Sequence, residues 1–328
     1  MAYSCYMEIR KFRDDKIKQA SHDHIKLNQL HDEIMKKVIH LALSQTAEKL
    51  GPLPCPFSFF VMGSAGRLEQ SIWSDQDHGI IYQDDRVETK VYFLELGKEI
   101  SKGLFQAGYS YCDGGVMASN PLWCKSLYEW HHQLMKWIFE FSWESVRYLL
   151  IFIDARTLLG DEEFVDTLKN QIYQTANKDQ LVKKMLNNTK YLKNGINVFG
   201  KLVTETHGPY AGLLNIKEIG ILPYVNAVRL IAIKENLLTT PTLERLDTLS
   251  ELHFSDIDID FFKDQFIRLL NFRLIYCNQT NYDSGHYLPV AHLSREQSKE
   301  LKDMIKNGSA LFHSVRKLIE KEDSHANE

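Results

Sequence analysis

The fold of this chain is decided by the stretch Gly63-Ser64-Ala65-Gly66-Arg67, with Ser74-Asp75-Gln76-Asp77 a few residues after it. An apolar and aromatic segment, residues 57–62, precedes the first stretch, and another apolar segment, residues 79–82, follows the second. Both segments have the composition of buried strands, so we predict two neighbouring strands joined through a glycine-containing turn. Such a turn leaves backbone N–H groups available to bind phosphate oxygens.

The two aspartates are predicted to form a metal site. Asp75 and Asp77 are two residues apart at the start of the second strand, and the period of a strand is two, so both carboxylates should point to one face. His78 follows Asp77 directly and should face away from it. Two like charges this close are costly unless a cation lies between them. Mg²⁺ suits such a pair because it takes oxygen ligands and shares its coordination with substrate phosphates, and Mn²⁺ would serve in the same way.

This combination of a strand, a glycine turn and a paired acidic motif resembles the nucleotidyltransferase superfamily of DNA polymerase β. The Gly-Ser of that pattern corresponds to Gly63-Ser64, and its Asp-x-Asp corresponds to Asp75-x-Asp77. The chain is also similar to the nucleotidyltransferase domain of bacterial PII-protein uridylyltransferases. The positions that match the uridylyltransferase motifs are Gly63, Gly66, Arg67, Glu69, Ser74, Asp75 and Asp77.

The strongest resemblance is to the nucleotidyltransferase family called domain of unknown function 294. It rests on Gly-Ser-x-Gly-Arg-x-Glu-Gln from Gly63, on Asp-Gln-Asp from Asp75, and on the later run Gly-Gly-Val-Met-Ala-Ser-Asn-Pro-x-Trp from Gly114. The segment 215–223 also resembles the C-terminal domain of that family. The resemblance extends over residues 20 to 320, nearly the whole chain.

The resemblance implies an α+β fold. We expect a polymerase-β-like nucleotidyltransferase domain, with a small mixed sheet and helices, preceded by a long N-terminal helix and followed by an all-helical C-terminal domain. It also implies roles for particular residues: Asp75 and Asp77 would hold two Mg²⁺ ions. The phosphates of a nucleoside triphosphate would contact Gly63, Ser64, Gly66 and Arg67.

A third carboxylate is available at Asp154. The run 146–153 is continuously apolar and predicts a buried strand that ends at this residue. By the period of a strand, Asp154 and Arg156 would share a face, and the uridylyltransferases have a similar acidic-Ala-Arg-x-Leu-x-Gly segment. Asp154 is therefore a candidate third metal ligand or catalytic base, with Arg156 near phosphate. The alternative is that Asp154 and Arg156 form a structural ion pair.

Composition and charge narrow the function further. The chain has 328 residues, a net charge of −4 and a pI near 6.4, so it has no basic excess of the kind that binds nucleic acid. No apolar run approaches the length of a membrane span, and the first residues do not resemble a signal peptide. Five scattered cysteines argue against a disulfide framework and against a zinc site, and favour the reducing cytoplasm. We therefore expect neither nucleic acid nor membrane as a partner.

Three segments are predicted: an N-terminal helical segment 1–50, a nucleotidyltransferase domain 51–160 and a helical C-terminal domain 161–328. Within the second, a helix near 88–106 should stop at Gly108. The loop Asp113-Gly114-Gly115 either borders the nucleotide pocket or is a plain turn. The helices predicted in the last segment are 162–174, 178–203, 219–236, 241–252, 257–279 and 294–321. Lys217 is expected to reach the phosphates, with an ion-paired surface lysine as the alternative.

The sequence leaves three functions open. The first is a Mg²⁺-dependent enzyme that transfers a nucleoside monophosphate from a nucleoside triphosphate to an acceptor hydroxyl, and the uridylyltransferase likeness suggests a protein as acceptor. The second is a non-catalytic nucleotide-binding regulatory module. The third is a small-molecule nucleotidyltransferase, such as an antibiotic-modifying enzyme. The base, the acceptor and the oligomeric state are not predicted.

Overall fold

The computed structural model describes residues 3–175, 178–189, 191–252 and 257–326. The chain forms two compact units, Met1–Thr175 and Ala176–Glu328. The N-terminal helical segment is part of the first unit, and the unit boundary falls later than the predicted domain boundary at residue 160. No helix among the described residues is both long enough and apolar enough to cross a bilayer.

The first unit begins with two helices, α1 (Tyr6–Ala20) and α2 (His24–Leu50). The sequence predicted one long helix here, but the chain breaks at residues 21–23. The Asp23 carboxylate accepts a hydrogen bond from the Lys26 backbone N–H at 3.0 Å, which caps the start of α2. One face of α2 is buried along its length and packs against α1 and against the fourth helix of the unit.

A four-stranded mixed sheet lies at the centre of the first unit. Its strands are β1 (Phe57–Val61), β2 (His78–Tyr82), β3 (Cys124–Ser126) and β4 (Arg156–Gly160), in the order β3-β2-β1-β4. Strand β1 pairs antiparallel with β2 and with β4, and β2 pairs parallel with β3. Every residue of β1 and β2 is buried, as their apolar composition predicted. A small mixed sheet with surrounding helices is the predicted fold class.

Five helices complete the first unit: α3 (Gly63–Gly66), α4 (Val87–Ala107), α5 (Leu127–Glu140), α6 (Trp143–Ile153) and α7 (Glu163–Thr175). The short helix α3 connects β1 towards β2. Helix α4 packs on α2 and ends at Gly108, whose φ of 103° is left-handed, as the position of that glycine predicted. Helix α7 packs on α5, which places it in the first unit.

The prediction of a strand over 146–153 is wrong, because these residues form most of α6. A continuous apolar run does not by itself distinguish a buried strand from a buried helix. Two helix signals were present. The Ser142 hydroxyl accepts the Ser145 backbone N–H at 3.0 Å as an N-cap, and the buried residues follow helical spacing. The buried apolar residues of this helix are Val146, Leu149, Leu150, Phe152 and Ile153.

The described residues of the second unit form helices, connecting loops and one small strand pair. Its helices are α8 (Lys178–Thr189), α9 (Leu222–Lys234), α10 (Thr242–Glu251), α11 (Ile259–Tyr276) and α12 (Arg295–Ala326). The strands β5 (Leu214–Asn215) and β6 (Tyr287–Leu288) pair antiparallel. Helix α8 ends well before the predicted residue 203. A π-helical turn, Lys217–Ile221, leads into α9, which is buried on nearly all sides and packs on α8, α10 and α12.

Candidate metal and nucleotide site

The glycine turn lies directly against an acidic side chain. Strand β1 ends at Val61, and α3 begins at Gly63 with a left-handed φ of 55°. A Cβ built on Gly63 would lie 2.2 Å from Oδ2 of Asp77, closer than real Cβ contacts occur. The Met62 backbone N–H donates to the Asp77 carbonyl at 2.8 Å, which holds the two segments together. Glycine is therefore required at position 63 to make room for the Asp77 carboxylate.

The second glycine of the turn makes room for a different residue. A Cβ on Gly66 would lie 1.9 Å from the carbonyl oxygen of Asp154, which follows α6. Because that neighbour is backbone rather than a movable side chain, Gly66 is required for the packing of α3 against the end of α6. The two glycines of α3 thus contact two different aspartates. Ser64, between them, is half-buried in the first turn of α3.

The structure brings Asp75 and Asp77 together in front of β2. Asp75 is bridged to Ser110, since Gln76 N–H donates to Ser110 O at 3.0 Å and Ser110 N–H donates to Ser74 O at 3.1 Å. One ligand oxygen from each aspartate and the Sγ of Cys112 lie within 4.8 Å of one another. All three residues are half-buried. Among the described residues, these three are the group of side chains able to share one metal ion.

Cys112 was not predicted as a site residue. Burial raises the pKa of its thiol to about 12, and the negative charge of Asp77 contributes in the same direction. A local sequence signal was present nevertheless, because the loop that begins at Asp113 was expected to border the pocket. The number of residues between Asp77 and Cys112 carries no metal-ligand pattern, so only the fold reveals their contact.

A buried polar network supports the two aspartates from behind. The Gln76 side chain is fully buried and donates from Nε2 to the carbonyls of Ser101 and Tyr109, both at 3.1 Å. Its Oε1 lies 3.1 Å from His78 Nε2, and His78 Nδ1 accepts the Ala118 backbone N–H at 3.1 Å. Burial lowers the pKa of His78 to about 3, so the ring is neutral with its proton on Nε2. His78 therefore faces away from Asp77, as the alternation predicted.

The structure holds Arg67 and Asp154 together in a buried ion-paired cluster. Arg67 Nη1 donates to Asp154 Oδ2 at 2.7 Å, and Arg67 Nε donates to Glu69 Oε2 at 2.8 Å. All three side chains are buried, Asp154 completely. Burial alone would lower the pKa of Arg67, but the two carboxylates raise it above its usual value, so the guanidinium stays charged. Asp154 is not in the group of described side chains that could share the ion with Asp75 and Asp77.

Arg156 has a different carboxylate partner from the predicted one. Its Nη1 and Nη2 donate to the two oxygens of Asp32 on α2 at 2.9 and 2.8 Å. Nη2 also donates to the Ala65 carbonyl of α3 at 3.1 Å. The carboxylate that pairs with Arg156 is thus Asp32, and the guanidinium that pairs with Asp154 is that of Arg67. Arg156 instead ties β4, α2 and α3 to one another.

Lys217 belongs to the second unit, in the π-helical turn before α9. Its Nζ lies 3.2 Å from the Tyr282 hydroxyl and 3.3 Å from His286 Nε2. Burial lowers the pKa of His286 to about 2, and the charges of Lys217 and Arg273 act in the same direction. The lysine therefore lies in a part-buried polar cluster of its own unit and not on a fully exposed surface.

The sequence analysis did not identify Arg147 as a basic residue near the candidate site. Arg147 is exposed on α6 and forms no ion pair with any described residue. A Cβ built on Gly114 would lie 3.6 Å from Cys112 Sγ and 3.7 Å from Arg147 Nη2, so the thiol and the guanidinium both border that glycine. The incorrect prediction of a strand over 146–153 placed Arg147 in a buried strand, so the residue was not recognised as an exposed cation. The helical spacing of α6 would have placed it on the exposed face.

The fold and the paired aspartates beside a glycine turn define a nucleotidyltransferase-type domain. Residues 12–143 match the family model described as "Putative nucleotidyltransferase DUF294", and residues 179–318 match the model described as "Putative nucleotidyltransferase substrate binding domain". The chain belongs to this family, as the sequence motifs predicted. A search of curated proteins finds no match to the chain.

Proposed function

We propose that this protein is a divalent-metal-dependent nucleotidyltransferase, which moves a nucleoside monophosphate from a nucleoside triphosphate to an acceptor hydroxyl and releases pyrophosphate. The observation that carries the proposal is the Asp77 carboxylate against Gly63 at the end of a buried strand, with an oxygen of Asp75 within 4.8 Å of an oxygen of Asp77. The match of residues 12–143 to a nucleotidyltransferase family supports the same class of reaction.

The two aspartates are the residues that would hold the metal. Their half-buried carboxylate oxygens fit Mg²⁺ or Mn²⁺, because both cations take oxygen ligands and leave coordination positions for substrate phosphates. A bound cation of this kind supplies positive charge for the attacking oxygen and for the leaving pyrophosphate. The backbone bridge of Asp75 to Ser110 and the buried Gln76–His78 network keep both carboxylates oriented.

The phosphates would bind at the start of α3. The first amides of a helix have no intrahelical acceptor, so the N–H groups of Gly63 and Ser64 are suited to phosphate oxygens. The half-buried Ser64 hydroxyl would add one more hydrogen bond. Arg147 would supply the positive charge at the edge of the site. Arg67, whose charge is engaged by two buried carboxylates, would act as a positioning residue for α3.

Asp154 and Arg156 are assigned structural roles. Asp154 is completely buried and holds Arg67, so a role as general base would require it to break an ion pair in the core. Arg156 donates to the Ala65 carbonyl and to Asp32, and so fixes α3 relative to α2. In this mechanism the reacting groups contact Asp75, Asp77, Ser64 and the amides of α3.

The acceptor would be recognised by the second unit. The family description of residues 179–318 as a substrate binding domain supports this division of labour. Lys217 is the residue of that unit that we propose for contact with an anionic part of the nucleotide or acceptor. The likeness to PII-protein uridylyltransferases favours a regulatory protein as acceptor and a role in signal transduction. All five cysteines are free thiols, which supports the cytoplasm as the site of action.

A second candidate function is a nucleotide-binding regulatory module without catalysis. The observation that favours it is the burial of Asp154, which leaves two carboxylates rather than three at the candidate site. Under this alternative the chain would bind a nucleoside triphosphate together with a metal ion and would release it unchanged.

Incubation of the purified protein with cell lysate and each α-³²P-labelled nucleoside triphosphate tests the proposal. Label that moves to a protein band, or to a small molecule separable by chromatography, supports nucleotidyl transfer and identifies the acceptor class. The matched control is the Asp77→Asn variant in the same lysate. Label that is transferred in this control comes from other enzymes and is subtracted. Metal-dependent nucleotide binding without any transfer above that control would favour the regulatory module.

A further inference from the structure

Cys112 is held at a fixed place beside the paired aspartates by the loop in which it lies. The Gly115 backbone N–H donates to the Cys112 carbonyl at 3.0 Å, and Met117 N–H donates to Gly115 O at 2.9 Å. The loop is joined to the first residue of β2, since His78 N–H donates to the Val116 carbonyl at 3.0 Å. The backbone of Cys112 is therefore held close to Asp77, which immediately precedes His78.

The position of the sulfur matches that of a metal ligand. The Cys112 Sγ and one oxygen from each of Asp75 and Asp77 lie within 4.8 Å of one another, and all three side chains are half-buried. Typical metal–ligand bonds of about 2.0–2.2 Å to oxygen and about 2.3 Å to sulfur therefore require only a small inward movement of flexible side chains.

We propose that Cys112 is the third protein ligand of the cation at Asp75 and Asp77, and that the site consequently prefers a thiophilic divalent cation such as Zn²⁺ or Co²⁺ over Mg²⁺. This inference rests on the metal site of the proposed function and goes beyond it in naming the ligand set. On binding, the S–H bond breaks, a sulfur–metal bond forms, and the proton is released to solvent. A soft thiolate strengthens binding of Zn²⁺ or Co²⁺ far more than binding of Mg²⁺, which takes oxygen ligands.

A consequence for the phosphate site follows from the same geometry. Arg147 and Cys112 both border Gly114. With Cys112 as a metal ligand, Arg147 would be an exposed cation beside the same loop, and its guanidinium would be available to a phosphate oxygen of the substrate. The loop that carries Cys112 would therefore connect the choice of metal with the position of the substrate.

Titration of the metal-free protein with Co²⁺ tests the ligand set, because a thiolate bound to Co²⁺ gives an intense near-ultraviolet charge-transfer band that oxygen ligands do not give. The band should appear at one equivalent in the wild type and vanish in Cys112→Ser. It should persist in Cys55→Ser, which removes a half-buried free thiol elsewhere in the first unit. Competition should show that Cys112→Ser loses Zn²⁺ affinity by more than the about 10–100-fold typical of losing an outer-shell partner, while Mg²⁺ affinity changes little.

Three results would overturn the inference. Co²⁺ binding that depends on Asp77 but gives no charge-transfer band would leave the metal site in place and remove Cys112 from it. A band that survives in Cys112→Ser would assign the sulfur ligand to another residue. Absence of Co²⁺, Mn²⁺ and Mg²⁺ binding by the folded wild type would overturn the metal site and the proposed function together. Circular dichroism of each variant separates loss of a ligand from loss of the fold.

Discussion

The two glycines of α3 separate two acidic regions that serve different purposes. Gly63 faces Asp77, which is half-buried and lies within 4.8 Å of two other possible metal ligands. Gly66 faces Asp154, which is completely buried and paired with Arg67. The surroundings of a carboxylate, and not its position near a motif, therefore determine its role. A carboxylate whose charge is balanced inside the protein contributes to stability, whereas one that borders solvent beside other ligands is suited to binding a cation.

The largest difference between substitutions in the two regions is expected in the rate of nucleotide transfer. Asp77→Asn should abolish metal-dependent nucleotide transfer, because loss of a charged ligand at such a site costs on the order of several kcal/mol of transition-state stabilisation. The melting temperature should stay close to that of the wild type, since Asp77 is half-buried. The rate is measured with saturating nucleotide. Normal turnover in a folded Asp77→Asn variant would remove the metal pair from the mechanism.

Asp154→Asn should show the opposite behaviour. Removing one partner of a buried ion pair leaves the other charge uncompensated, so we expect the free energy of unfolding to fall by about 3–5 kcal/mol. Single-turnover transfer by the folded fraction should remain near the wild-type rate. Denaturant titration and single-turnover kinetics on one preparation give both values. A reduced rate with unchanged stability would indicate that Asp154 is a catalytic residue and would contradict the difference in role between Asp77 and Asp154.

Substitution of the two glycines sharpens the same contrast. In Gly63→Ala the new methyl meets the movable Asp77 carboxylate, so we expect metal affinity to be lost. The alanine must also adopt the left-handed φ of Gly63, which should lower stability by about 1 kcal/mol. In Gly66→Ala the methyl meets the Asp154 backbone at 1.9 Å, so the main loss should be of stability, by about 1–3 kcal/mol. Calorimetric Mn²⁺ titration and thermal melting of both variants test this. Equal metal affinities in the two variants would contradict the assignment.

Arg147 should affect substrate binding without affecting stability, because its side chain is exposed and makes no ion pair with a described residue. We expect Arg147→Ala to raise the KM for the nucleoside triphosphate by about tenfold, which corresponds to roughly 1.4 kcal/mol for one charge-assisted contact. Arg147→Lys, which keeps the charge, should recover part of this loss. The matched control is Lys136→Ala on α5, an exposed cation that pairs with Glu140. An equal KM for Arg147→Ala and the wild type would remove Arg147 from the phosphate site.

Acidification should weaken the buried network behind the aspartates. Burial lowers the pKa of His78 and of His31 to about 3 in the folded state, while an unfolded histidine titrates near 6.5. The unfolded chain therefore binds protons between these values that the folded chain does not. Stability should be complete above pH 6.5 and should fall at lower pH, with a slope of about 1.4 kcal/mol per pH unit for each histidine. Melting temperatures from pH 7 to pH 4 measure this, and His31→Gln should reduce the slope. An unchanged slope would mean that His31 is not the residue responsible.

The sequence could predict the local parts of this molecule. The strands around the glycine turn, the helix that ends at Gly108 and the α+β fold class follow from apolar patterns, glycine positions and the family motifs, and the structure has them. The approach of Asp75 to Asp77 was predicted from the period of a strand, but β2 begins only at His78, and Asp75 is held instead by a bridge to Ser110. The other features depend on residues that are close along the chain, where backbone geometry alone fixes the relation between side chains.

The remaining parts depend on contacts between distant segments. A strand was predicted for α6 because a fully apolar run fits either buried element, and that error concealed Arg147. Cys112 and Asp77 meet because the loop after Ser110 is hydrogen-bonded to His78 at the start of β2 through the Val116 carbonyl, and no spacing rule predicts this contact. The pairing of Arg67 with Asp154 likewise needs the packing of α3 on the end of α6. Arg67 was expected to bind phosphate, but its guanidinium forms an ion pair with the buried Asp154 carboxylate.

The most direct test of the central claim is the position of the bound cation. Crystals of the protein grown with Mn²⁺ and a non-hydrolysable nucleoside triphosphate analogue would give an anomalous difference map that locates the metal. The account predicts a Mn²⁺ peak in contact with both Asp75 and Asp77, with the triphosphate at the first turn of α3. A peak beside Asp154, or an ordered nucleotide away from the glycine turn, would contradict it.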